Sequence, residues 1–276
     1  MSRLNKILIK TKRQIFSEMI ANNPSIFEGE GFDFVELREY EYGDDVRKID
    51  WNVTAKRQKP YIRVFREERE LNIVVVALLD GSLHFGSKRF KIDLLAEIVA
   101  LLGFSAIKNS DRFTFLTYCK KGEFIVRGSK NINSVNKTIS SIFEERVLGR
   151  GCSYEDLSKD LFSMIKRRSI IFVIGDFFQK MDFRLLSKKH EVISIIIRDR
   201  LEEELPDLGV INLADPATLN SLRIDLNESS KKEYKSKVAK IDHENFNHFR
   251  KNRISFIKIY TDENPFSKLK KLFIKR

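Results

Sequence analysis

The chain has 276 residues, enough for one large domain or one and a half, and its 42% hydrophobic and 33% charged content describes a globular protein with a well-charged surface. Its 51 Lys and Arg against 39 Asp and Glu give +12, a charge that admits a nucleic-acid, anionic-lipid or acidic-protein partner and fits equally the Lys-, Ile- and Asn-rich usage of AT-rich coding. No apolar run approaches the ~18–20 residues that span a bilayer, only two cysteines, Cys119 and Cys152, imply no disulfide framework, and the basic amino terminus lacks the apolar core of a signal peptide, so a cytoplasmic protein is expected.

Residues 2–22 alternate apolar and basic positions at near-helical spacing, which predicts an amphipathic docking helix ending before Asn22-Asn23-Pro24. The segment from Arg38 to Trp51 follows, dense in alternating charge and holding the one Trp of the chain. Arg38, Tyr40, Gly43, Asp44, Asp45, Arg47, Asp50 and Trp51 are expected to form a fixed hydrogen-bonded platform, because Arg forks pair carboxylates and stack on rings. Residues 60–70 alternate at period two and predict a half-exposed strand.

Seven consecutive apolar residues, Ile73 to Leu79, then run into Asp80-Gly81-Ser82. Such a run predicts a strand covered on both faces, the central strand of a parallel sheet. Helical spacing over 90–109, a strand at 111–118 with a hairpin partner at 122–126, and helices at 132–145 and 154–166 come next. Two more continuous apolar strands, 169–174 and 192–197, flank a helix near 183–189, and the first of them ends in Gly175-Asp176-Phe177. This β-α-β-α-β alternation favours right-handed crossovers and a mostly parallel, doubly wound α/β sheet. A hairpin around Asp215-Pro216, a Lys-rich helix over 228–252, a strand at 254–260 and a terminal helix at 267–273 complete the chain. The expected division is a helix-and-platform segment over 1–70, an α/β domain over 71–200, and a C-terminal extension over 201–276 packing on that domain.

Asp80, Ser82 and His84 form the series Asp-x-Ser-x-His in a loop after a strand, where alternate positions can turn their oxygens toward one point. Hydroxyl and carboxylate oxygens with water suit octahedral Mg²⁺, and Ser153 and Asp176, from loops at the same sheet edge, can complete the ring. This arrangement resembles the von Willebrand factor type A fold and its metal-ion-dependent adhesion motif, Asp-x-Ser-x-Ser. His84 in the last position suits Zn²⁺ or Mn²⁺ better than Mg²⁺, so the site is expected to be degenerate, with Mg or Mn its candidate ions and no other cofactor expected.

The whole chain also resembles domain-of-unknown-function family 58. The resemblance is carried by Gly31-Phe32-Asp33-Phe34, Leu37 to Tyr40, the block Tyr42 to Trp51, Phe65 to Glu70, Phe85-Gly86-Ser87, Gly175-Asp176-Phe177 and Leu205 to Gly209. It implies a partner of a MoxR-type AAA+ ATPase acting in complex maturation or stress response. The departures are His84, Gly175 where the family has Ser, and Cys152-Ser153-Tyr154 where it has a Gly-Thr-Asp loop. The expected function is therefore a non-enzymatic interaction module. The alternatives are a nucleic-acid or anionic-surface binder using Lys231, Lys232, Lys235, Lys237 and Lys240, and a metal-dependent hydrolase using Asp80, His84 and Asp176. His190, at a helix end, is expected to favour its cationic form; His243 and His248 are not spaced to share a metal.

Overall fold

The computed structural model describes residues 5–11, 34–65 and 70–274. It divides into two compact units, residues 28–71 and residues 1–27 together with 72–276. The amino-terminal helix therefore groups with the large unit rather than with the platform segment. Most of the expected helix over 2–22, the Gly31 to Asp33 stretch and residues 66–69 lie outside the described residues.

In the smaller unit, β1 (Phe34–Glu39) pairs antiparallel with β2 (Tyr61–Phe65). Between them runs a helix the sequence reading missed, α2 (Trp51–Arg57). Asp50 starts it: its carboxylate accepts from the amides of Asn52 and Val53 at 3.0 and 3.2 Å, the N-cap arrangement that supplies orphan donors with a partner. Asp45 likewise accepts from the Arg47 amide and pairs with its guanidinium, and Arg38 pairs with Asp44 at 2.7 Å. Gly43 sits at φ +109°, which a residue with a Cβ would resist. The charge-dense block is thus a set of local turns and caps.

The larger unit is a mixed α/β fold on a six-stranded sheet in the order β10-β7-β6-β3-β4-β5. Its strands are β3 (Asn72–Leu78), β4 (Arg112–Tyr118), β5 (Gly122–Ser129), β6 (Ile170–Gly175), β7 (Glu191–Arg198) and β10 (Ser255–Tyr260). Every pairing is parallel except β4 with β5.

The continuous apolar run of β3 has the reason expected of it: both faces are covered. Val74, Val76 and Leu78 join a cluster with Leu157 and Leu161 of α5 (Leu157–Met164), Leu186 of α6 (Arg184–Ser187) and Phe249 of α7 (Glu228–Lys251). Ile73, Val75 and Ala77 are fully buried on the opposite face, where α3 (Lys91–Lys108) packs with α4 (Ile132–Glu144) and α8 (Pro265–Ile274) beside it. The helix at 5–11 docks on this layer, with Ile7 and Thr11 buried and Lys10 paired to the buried Glu97 at 2.6 Å.

The C-terminal extension contributes to the sheet itself: β10 lies beside β7 as an edge strand. β8 (Val210–Ala214) and β9 (Ser221–Asp225) form a separate antiparallel hairpin. Among the described residues no helix is long and apolar enough to cross a membrane.

Two expectations are corrected here. Cys119 and Cys152 are joined by a disulfide, Cα to Cα 4.7 Å, tying the end of β4 to the loop before α5. Their 33-residue separation hid a proximity that only the β4–β3 pairing creates. His190, expected to favour its cation at a helix end, is instead buried, with the edge of its ring pair against Phe162. Burial, and secondarily the Lys189 charge, pushes it below 6.5 and holds it neutral.

Candidate functional site

After β3 the chain moves to β4 on one side and later returns to β6 on the other, so β3 and β6 flank a topological switch point. Open α/β sheets form their crevice at such a point, beyond the carboxyl ends of the strands. Asp80 follows β3 and Asp176 follows β6, so the two acids share one rim.

Ser82 joins them: its Oγ lies in short hydrogen-bond contact with Asp80 Oδ1 and with Asp176 Oδ2. Burial and the neighbouring Asp176 charge push Asp80 upward. Burial also acts upward on Asp176, but Lys91, Ser82, Arg198 and the Phe178 amide outweigh it and hold that carboxylate low. The pair is therefore polarised, with Asp80 the more readily protonated carboxyl and Asp176 the more readily ionised.

The remaining oxygens also meet protein donors. Asp80 Oδ1 accepts from the Ser82 amide at 3.0 Å, and Asp80 Oδ2 accepts from the Tyr154 hydroxyl at 2.9 Å. The Phe178 amide reaches Asp176 Oδ1 at 3.4 Å. Lys91, the first residue of α3 and fully buried, places its ammonium 3.3 Å from Asp176 Oδ2 and 2.5 Å from Glu202 Oε1. Arg198, also fully buried, donates to the Asp176 carbonyl at 2.5 Å, pairs with Asp242 at 3.0 Å and stacks over the Phe178 ring at 3.5 Å.

The loops are held in place by their neighbours. Asn245 on α7 donates to the Phe177 and Gln179 carbonyls and accepts from the Met181 amide. Phe177 needs that hold, because it sits at φ +55°, a left-handed conformation that a non-Gly residue adopts at a cost on the order of 1 kcal/mol or more. Its ring is buried edge-on against Phe183 and Phe249. On the other loop only glycine fits at position 81, since a Cβ there would lie 2.1 Å from the Pro216 carbonyl oxygen at the tip of the β8–β9 hairpin. Ser87 donates from amide and hydroxyl to Asp199 at 2.8 and 2.9 Å, which ties the family segment Phe85-Gly86-Ser87 to the end of β7.

Of the five residues singled out in the sequence, Asp80, Ser82 and Asp176 converge. Ser153 is exposed, and it is its neighbour Tyr154 that reaches Asp80. His84 packs its ring 6.1 Å from Phe90. Lys91, Tyr154, Arg198, Glu202 and Asn245 went unread; Lys91 reads as an ordinary surface residue opening a helix, and long-range pairing alone reveals it. The Lys-rich helix is less free than its composition suggests, since Lys231 pairs with Asp207 and Lys237 with Glu233.

The donor set can be tested against a divalent cation. Among the described residues no group of three or more His, Cys, Asp or Glu side chains is spaced to hold a metal ion. All four oxygens of Asp80 and Asp176 already meet protein donors. An ion bound to Asp176 Oδ2 at ~2.1 Å would lie within about 5.5 Å of the Lys91 ammonium, a repulsion of about 6 kcal/mol at an effective dielectric near 20. Lys91 thus competes with a divalent cation for Asp176. Beside the rim, a cleft of about 600 Å³ is lined by Leu79, Tyr118, Lys120, Lys121 and Arg150 among others.

A mostly parallel α/β sheet with a carboxylate pair bridged at its switch point is the class that fold and site define. Within it the chain belongs to the family described as "Protein of unknown function DUF58", whose model matches residues 36–244. Uncharacterized proteins of Mycobacterium bovis and Mycobacterium tuberculosis are each 27% identical to it over 225 residues, covering 77% of this chain and 69% of theirs. Among solved structures it is similar to the conserved hypothetical protein BatB from Bacteroides thetaiotaomicron, at 9% identity and TM-score 0.45 over 74% of this chain and 98% of that one. An aerotolerance-related membrane protein from Bacteroides fragilis matches at 11% identity and TM-score 0.45, over 75% of this chain and 100% of that one.

Proposed function

We propose that the chain is a non-enzymatic protein-interaction module of the von Willebrand factor A type, and that it works as an adaptor of a MoxR-type AAA+ ATPase. The observation that carries this reading is the bridge from Asp80 through Ser82 to Asp176. It supports a recognition rim at the carboxyl ends of β3 and β6, where the Ser82 hydroxyl is bound to two carboxyl groups and not to an imidazole that could activate it.

The family block supplies a second support. Tyr42 and Trp51 are exposed, Trp51 at 70%, and Val46 beside them is exposed as well. Exposed aromatic side chains on a tightly capped scaffold have the composition of an interaction hot spot. Purified chain immobilised as bait should retain the cognate ATPase, and Trp51→Ala should lose most of it. Recovery of nothing, with and without nucleotide, would overturn the adaptor reading.

A further inference from the structure

We propose that the ammonium of Lys91 is the resident cation of the rim, a tethered charge in the place where an adhesion-type site holds a divalent metal, so that this copy of the site works without an ion. The inference rests on the adhesion-type reading of the rim but not on the identity of any partner.

Three observations carry it. Lys91 is wholly buried and its ammonium bridges Asp176, at 3.3 Å, and Glu202, at 2.5 Å, from two different strand ends. A buried lysine with two carboxylates is held in its charged form, burial notwithstanding, by Asp176 and Glu202. Lys91 alone pairs with the Asp176 and Glu202 carboxylates, while Arg198 pairs with Asp242 and Glu203 and donates to the Asp176 carbonyl. Finally, Phe178 adds a ring face to the group, with the Lys91 ammonium 5.4 Å and the Arg198 guanidinium 3.5 Å from its centroid.

The consequence is a fixed rim. A metal site leaves one coordination position for a partner's acidic side chain and switches with ion supply. An ammonium carried on α3 has neither property, since it is held by Asp176 and Glu202 and cannot dissociate. Recognition by this copy should therefore be indifferent to divalent ions.

The test is calorimetric titration of MgCl₂ and MnCl₂ into the full chain, with thermal melting beside it, for wild type, Lys91→Met and Asp176→Ala. Wild type should give no saturable heat and melt at one temperature with EDTA or with millimolar Mg²⁺ or Mn²⁺. Lys91→Met should melt lower, bind Mn²⁺ at least tenfold more tightly than wild type, and regain part of the lost melting temperature when Mn²⁺ is present. Saturable wild-type binding that Asp176→Ala abolishes would overturn the proposal, and so would a Lys91→Met chain that folds and melts like wild type without metal. Should Lys91→Met fail to fold, the wild-type titration decides alone. Loss of partner binding with Lys91 still behaving as described would count against the adaptor reading only.

Discussion

Asn245, three-quarters of the way along α7, holds the loop that follows Asp176: its amide group donates to the Phe177 carbonyl at 3.2 Å and accepts from the Met181 amide at 2.9 Å. A polar residue on a Lys-rich helix therefore sets the position of an acid on the far strand end. The same loop carries the left-handed Phe177, so its conformation is maintained by neighbours and not by local preference.

Asn245→Ala removes three hydrogen bonds in a buried setting and leaves the Met181 amide without its acceptor. A destabilisation of about 2–3 kcal/mol is expected, with faster amide exchange confined to the loop after β6. Urea unfolding and hydrogen exchange check both, and a change under about 0.5 kcal/mol would contradict the role.

Asp80 and Asp176 should respond oppositely to pH. A carboxyl whose folded pKa is raised stabilises the fold fully below its ordinary 3.8 and loses that contribution as pH rises through the folded value. Asp176, held low, stabilises the fold above 3.8 and loses its contribution as pH falls through its depressed value. Asp80→Asn mimics the protonated acid, so its stability relative to wild type should climb from acidic to neutral pH. Asp176→Asn should cost about 3 kcal/mol at neutral pH because it strips the buried Lys91 of a partner. Parallel stability curves for Asp80→Asn and wild type would contradict the assignment.

His190 gives a second pH signature. Its folded pKa lies below the ordinary 6.5, so the unfolded chain binds the proton first and stability falls as pH drops below 6.5. His190→Phe should be near neutral in stability at pH about 8 and should lack that part of the acid loss. Equal slopes below 6.5 in both chains would show that His190 does not contribute it.

The disulfide between Cys119 and Cys152 closes a loop with a sequence separation of 33. Its removal by Cys119→Ser with Cys152→Ser, or by a thiol reductant, should lower stability by about 3 kcal/mol. Melting curves with and without reductant measure it, and identical curves would contradict the bridge.

Much of this architecture was legible in the sequence. β3 announced itself because burial on both faces leaves no room for alternation, and the acids at 80 and 176 each close an apolar run, whose adjacency the β3–β6 pairing establishes. What was hidden is whatever depends on residues far apart in the chain. Lys91 meets Glu202 across 111 positions and Asn245 meets Phe177 across 68, and no local pattern marks either pair. α2 was missed because its seven residues carry mixed polarity and no buried stripe. Ser153 was read for Tyr154, one residue away, because a hydroxyl on a loop gives the same local signal as a phenol.

His84→Ser completes the adhesion-type series in sequence, but His84 packs toward Phe90, and Lys91 remains against Asp176. That variant alone should gain no Mg²⁺ response in calorimetry, whereas His84→Ser combined with Lys91→Met should. A response from His84→Ser alone would move the decisive difference back to position 84.

The most direct measurement is hydrogen exchange of the full chain with and without the proposed partner, a MoxR-type ATPase. The expected result is new protection over residues 40–57 and over the loops after β3 and β6, unchanged by EDTA. Protection confined to the lysine-rich face of α7, or none anywhere, would contradict the reading of this chain as an adaptor with an ion-free rim.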